Sequence, residues 1–154
     1  MQPTQEFNVM LIIRHPHVDP DLLTRELGLE PEYSWRAGES RAAEAGSASR
    51  GTYRETYWAT RIYPYVESCL VPPSLAVDAP MPLESVLAIA ASILKRRQEL
   101  WERLKREGAT AEFLIAVASC DRVDLKLPAD LLAILGGLGL SVSFQLDSIA
   151  RAAA

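Results

Sequence analysis

The sequence predicts an α+β fold, a mainly antiparallel sheet with helices on one face. Three observations predict it. The spacing of apolar residues alternates along the chain between the strand period of about 2 and the helix period of about 3.6. Two strand-like segments follow one another through a loop, which favours antiparallel pairing, whereas the others are joined through helices and are free to run parallel. The chain has 154 residues, 49% hydrophobic and 23% charged, an ordinary composition for one globular core. Residues 1–154 are therefore read as a single domain with its core at about 6–149.

"FNVMLIIRHP" (Phe7 to Pro16) is rich in β-formers and nearly continuous in apolar residues, which suits a central strand ending at Pro16. The following "VDPDLLTRELGLEP" carries helix punctuation: Asp19 as N-cap, Pro20 at the first helical position, Asp21 at the positive end of the dipole and Gly28 as a left-handed stop. A helix from Asp19 to Leu27 would turn Leu22, Leu23 and Leu27 inward. "EYSWRAG" reads as a strand with Tyr33, Trp35 and Ala37 on one face and Ser34 and Arg36 on the other, closed by Gly38. Residues 40–51, small and polar with two glycines, read as a mobile loop. "TYRETYWATRIYP" (Thr52 to Pro64) alternates and supplies the antiparallel partner strand.

Prolines make residues 64–82 an irregular crossing. From Leu83 to Glu107 the period is helical: Leu83, Val86, Leu87, Ala90, Ile93, Leu94, Leu100, Trp101 and Leu104 form one stripe. Uninterrupted, such a helix is about 38 Å long, enough to overhang a sheet or bend. Glu99 with Arg103 and Glu102 with Arg106 have the favourable i, i+4 order for ion pairs. Gly108 ends the stretch. "TAEFLIAVASC" is an apolar strand, "LPADLLAILGGLG" a short helix, and "LSVSFQLDSI" a strand whose Leu140, Val142, Phe144 and Leu146 point to the core. "RAAA" reads as a frayed tail.

The resulting order is β-α-β-β-α-β-α-β. The segments beginning "FNVMLIIRHP" and "FLIAVASC" both read as strand, Asp-Leu-Leu helix, Leu-Gly-Leu stop and strand, so a duplicated β-α-β unit and a ferredoxin-like arrangement are both open. The stretch "VDPDLLTRELGLEPEYSWRAGES", the strand "TYRETYWAT", the long amphipathic helix and the closing "LPADLLAILGGLGLSVSFQL" together resemble the bacterial family DUF4279. The resemblance covers roughly residues 6 to 147. Its most specific part is W-x-x-G-E, here Trp35, Gly38 and Glu39. It implies a compact α+β domain and no established activity.

Several function classes are disfavoured. A net charge of −4 argues against general nucleic-acid binding, which rewards a positive surface. No segment is apolar enough for a membrane span, and "MQPTQEFN" lacks the features of a signal peptide, so a cytoplasmic location is expected. Cys69 and Cys120 have no C-x-x-C spacing and read as reduced thiols. His15, His17, Asp19 and Asp21 alternate like metal ligands, but Pro20 and the leucines after it assign the aspartates to a helix start. No nucleophile elbow, P-loop or dinucleotide fingerprint is present, so no catalytic residue, metal site or cofactor is expected.

The region from 33 to 65 stands out. It holds all five tyrosines (Tyr33, Tyr53, Tyr57, Tyr63 and Tyr65), Trp35 and Trp58, interleaved with Arg36, Arg41, Arg50, Arg54 and Arg61. Such rings and guanidinium groups are common at interfaces, and they also simply stabilise hairpins. Strand alternation forces some of them onto the face away from the core. Arg36, Arg54, Tyr57, Trp58 and Arg61 are the candidate contact residues, with Trp35 assigned to packing. The expected function is a noncatalytic interaction domain, immunity-like in size and acidity, that engages a protein partner or another copy of itself as a homo-oligomer. The alternative is a sensor or enzyme holding a small anionic ligand between the arginines and the 40–51 loop.

Overall fold

A computed structural model describes residues 6–40, 51–63, 82–119 and 124–148. The expected loop at 40–51 and proline-rich crossing at 64–82 fall almost wholly outside these residues, as do Arg41, Arg50, Tyr65, both cysteines and the tail.

The most apolar segment takes the centre of the sheet. Strand β1 (Glu6–His15) pairs antiparallel with both β3 (Thr56–Tyr63) and β4 (Thr110–Ser119). Outside these, β2 (Tyr33–Trp35) pairs antiparallel with β3, and β5 (Leu140–Ser148) runs parallel to β4. The five-stranded order is β2-β3-β1-β4-β5. Up to β4 the chain follows a split β-α-β course, because β3 inserts between β1 and β2. The second β-α-β unit is not split: β4 and β5 are direct neighbours, joined through helix α4 (Ala129–Gly137). The two segments that look alike in sequence thus form β-α-β units of different spacing.

Helix α1 (Pro20–Leu27) starts and stops where its caps dictate: Asp19 Oδ1 accepts from the Asp21 backbone N–H at 2.9 Å, and Gly28 takes φ 69°. Leu23 and Leu27 are buried, and Leu22 packs at the margin of the core.

The single long helix expected from Leu83 to Glu107 is two helices, α2 (Leu83–Arg96) and α3 (Gln98–Arg106), parted at Arg97 with φ −114° and ψ 38°. The apolar stripe offers one physical reason. After Ile93 and Leu94 the next core-facing positions are Arg97 and Gln98, three and four residues on, and a straight helix would press them against the core. The break leaves both exposed, and the stripe resumes at Trp101, whose Nε1 donates to the Leu138 carbonyl at 2.6 Å. Among the described residues neither expected pair, Glu99 with Arg103 or Glu102 with Arg106, closes to an ion pair. Glu102 accepts instead from Gln98 Nε2 at 2.9 Å. The few tenths of a kcal/mol that such exposed pairs return do not fix long side chains.

All four helices bury their apolar stripes on one side of the sheet, against Val9, Leu11, Ile13, Trp58, Ile62, Phe113 and Ile115. Trp58 is fully buried and its Nε1 donates to Thr24 Oγ1 at 3.1 Å, which ties β3 to α1. A register shift between Val9 and Met10 places Ile62 outside the pairing; Val9 faces Tyr63 and Met10 faces Arg61. This bulge lets Tyr63 join Ile62 beside the core, where it stacks on Phe7 with centroids 4.9 Å apart. Phe144 and Leu146, expected in the core, stand 44% and 69% exposed, because on the edge strand the helix layer reaches only as far as Leu140 and Val142.

Candidate functional site

The second side of the sheet carries Met10, Ile12 and Arg14 on β1, Tyr57, Ala59 and Arg61 on β3, Glu112 and Leu114 on β4, and Ser141 and Ser143 on β5. Strand alternation and register put these on one face. No described helix packs there. Ile12 and Ala59 are buried but lie outside the core cluster under the helices, so this face has a small apolar centre of its own.

A continuous row of aromatic and charged groups crosses this face. The Trp35 ring lies between two tyrosine rings, with Tyr53 at 4.6 Å and 16° on one side and Tyr57 at 4.3 Å and 11° on the other. The hairpin that aligns them is closed by backbone bonds from Gly38 N–H to the Tyr53 carbonyl and from Tyr53 N–H to the Glu39 carbonyl. Gly38 has φ 84°, a conformation that costs glycine little. Beyond Tyr57, the Arg14 guanidinium carbon lies 5.4 Å from the ring centroid. Arg14 Nη1 donates to Glu112 Oε1 at 2.9 Å, and Ser143 Oγ donates to Glu112 Oε2 at 2.7 Å. Glu55 stands 3.8 Å from Arg14 Nε.

These contacts set the titration of the row. Hydrogen bonds from Arg14 and then Ser143 hold the Glu112 carboxyl below its ordinary value, outweighing its partial burial. Burial pushes the Tyr57 phenol up, with Arg14 opposing the shift. Both groups are therefore held in their common neutral-pH forms.

The candidate contact residues divide. Tyr57 sits in the row. Trp58, one residue on, points to the other side of the sheet and is completely buried, so it offers no contact surface. Arg36 also turns to the helix side, where its Nη2 lies 2.7 Å from Asp19 Oδ2 and locks the hairpin to the start of α1. That bond, followed by the Asp21 backbone N–H, lowers the Asp19 carboxyl. Arg61 is on the open face, paired with Glu32 at 3.2 Å. Arg54 is exposed and has no ion pair among the described residues. Two of the arginines proposed to hold an anion are thus committed to carboxylates of the chain.

Trp35, assigned to packing, does pack, as the middle ring of the stack on the open face; Arg14 and Glu112 were not among the candidate residues. Their signal was present: Arg14 directly follows and Glu112 falls within an apolar run, where a strand covered on both faces does not tolerate an unpaired charge. Ser143 gave no such signal.

Of the two histidines, His15 is built into the fold, and the exposed His17 meets it edge-on with ring centroids 4.8 Å apart. His15 is buried, and its Nδ1 accepts the backbone N–H groups of His17 and Val18 at 3.0 and 2.8 Å. The ring proton therefore sits on Nε2, which donates to Glu107 Oε2 at 2.8 Å. Asp19 and Asp21 belong to the helix start, and no group of three or more His, Cys, Asp or Glu with metal-site geometry occurs among the described residues. No helix among them is long and apolar enough to cross a membrane.

A family model described as "Domain of unknown function (DUF4279)" matches residues 5–148. Neither the curated proteins nor the solved structures compared with this chain give a match.

Proposed function

The chain belongs to the DUF4279 family, and we propose that it is a noncatalytic interaction domain that engages another polypeptide, a protein partner or a second copy of itself, through the sheet face opposite its helices. One observation carries this reading: a row of partly exposed rings and charges, Tyr53, Trp35, Tyr57, Arg14 and Glu112, on a face that no described helix covers. Rings and arginine around a small apolar centre, with polar groups at the margin, is the make-up of protein interfaces. Tyr33 stands 58% exposed beside the stack, a large ring presented to solvent from the same strand face.

The chemistry supports binding over catalysis. A general acid or base needs a pKa moved toward neutrality, whereas Glu112 and Tyr57 move away from it. Both His15 nitrogens are bonded, which leaves no free imidazole there. A cytoplasmic setting fits the composition.

Co-purification from the native host, with light scattering of the pure chain in parallel, tests the reading. Tyr33→Ser together with Tyr57→Ser should lower partner recovery or dissociate the oligomer while the fold is kept. A pure monomer that recovers the same proteins with and without these substitutions removes the face as the contact.

A further inference from the structure

Five cations, Lys95, Arg96, Arg97, Arg103 and Arg106, line one half-open cavity of about 820 Å³ where α2 and α3 part. All five are exposed, and among the described residues none of them forms an ion pair. Arg14, Arg36 and Arg61 are each bonded to a carboxylate, whereas these five stand unpaired side by side in a chain of net charge −4. Three carboxylates, Glu26, Glu99 and Glu102, line the same cavity without closing an ion pair to these cations.

We propose that this cavity is a binding site for a small polyanion, a molecule carrying at least two phosphate or carboxylate groups together with hydroxyls. Unpaired guanidinium groups supply planar, bidentate donors matched to phosphate and carboxylate oxygens. The neighbouring carboxylates and Gln98 supply hydrogen-bond acceptors suited to hydroxyl groups. The volume lies within the usual range for small-molecule sites, about 300–1,000 Å³. The site is separate from the aromatic row, so its ligand and the partner of the sheet face are independent.

Titration calorimetry of the full chain at low ionic strength, with pyrophosphate and citrate as probes, tests this. Saturable binding of one probe is expected, weakening as salt is added. Arg96→Ala with Arg103→Ala should weaken it by roughly tenfold or more, as loss of charge-assisted hydrogen bonds does. Lys126→Ala, an exposed cation outside the cavity, should leave it unchanged. Because the two arginines are exposed, circular dichroism should show the double variant folded; if it is not, Arg103→Gln alone serves. Absence of binding by both probes overturns the proposal. So does binding that survives the arginine substitutions, or that Lys126→Ala weakens equally.

Discussion

Arg14 and Glu112 meet at 2.9 Å across the central strands β1 and β4, on the sheet face that no described helix covers. Arg14 ends the apolar run Val9–Ile13 of β1, and Glu112 interrupts the apolar run of β4. Their partners explain why they are tolerated: the carboxylate takes one bond from Arg14 and one from Ser143, while the guanidinium leans on Tyr57. A partly buried pair of this kind stabilises modestly, but breaking it leaves one charge poorly solvated.

The folded-state pKa of Glu112 lies below its ordinary value of 4.5. Its contribution to stability is therefore fully present above that ordinary value and is lost as pH falls through the lower, folded value. Glu112→Gln should cost about 1 kcal/mol at neutral pH. The gap between wild type and variant in urea unfolding should close in acid, below the ordinary carboxylate range. A gap that stays constant across that window would show that the carboxylate charge contributes nothing.

His15 joins the turn that follows it to a residue far away in sequence, Glu107. Its ring satisfies two backbone donors of the turn after β1 and donates to Glu107 at the end of α3. His15→Ala leaves these buried groups unpaired and opens a cavity, a loss of about 2–4 kcal/mol in urea unfolding. Glu107→Gln, at a side chain 38% exposed, should cost under about 1 kcal/mol. Equal losses from the two substitutions would mean that the backbone bonds to Nδ1 are unimportant.

Gly108 follows that same junction at φ 104°, and a Cβ built there would come within 3.1 Å of Pro16 Cγ. Strain and contact act in the same direction. Gly108→Ala is expected to lower stability by about 1–3 kcal/mol, whereas Gly136→Ala, with open space around it in α4, should be neutral or stabilising. Thermal melts of the two variants side by side make the comparison.

What the sequence disclosed follows the range of the interactions involved. Helix α1 was legible end to end because its determinants are local: Asp19, Pro20 and Gly28 act within a residue or two of the backbone they fix. The class of fold was legible because apolar period reports which side of an element is covered. The roles of Trp35 and Trp58 were not. Both are aromatic residues in alternating strands, and only the pairing of β2 with β3 decides that one stacks on the open face while the other enters the core. The turning of Tyr63 toward Phe7 depends on a bulge that leaves no local trace. The opposite fates of Arg36 and Arg14 depend on carboxylates far away in sequence.

The stack around Trp35 allows stability and binding to be separated. Each ring pair is worth about 0.5–1.5 kcal/mol beyond burial, so Trp35→Ala, which loses two, should destabilise by about 1–3 kcal/mol. Tyr33 is mostly in solvent, and Tyr33→Ala should change stability by less than about 0.5 kcal/mol. If the open face binds a partner, Tyr33→Ala lowers partner recovery at unchanged stability. Loss of stability from Tyr33→Ala, or none from Trp35→Ala, would reverse the roles given to the two rings.

The parting of α2 and α3 has two possible causes, and they predict different outcomes. If polar residues at core-facing positions 97 and 98 force the break, Arg97→Leu with Gln98→Leu should let the stripe run on from Leu94 to Trp101. The amides around Arg97 would then exchange more slowly, by about tenfold for each 1.4 kcal/mol gained. If the bond from Trp101 Nε1 to the Leu138 carbonyl sets the angle of α3 instead, the same substitutions leave exchange unchanged and only expose two leucines. Trp101→Phe, which keeps most of the ring and removes the donor, then becomes the variant that shifts α3. The stripe favours the first cause, because a polar pair stands at the one place along it where an apolar residue is due.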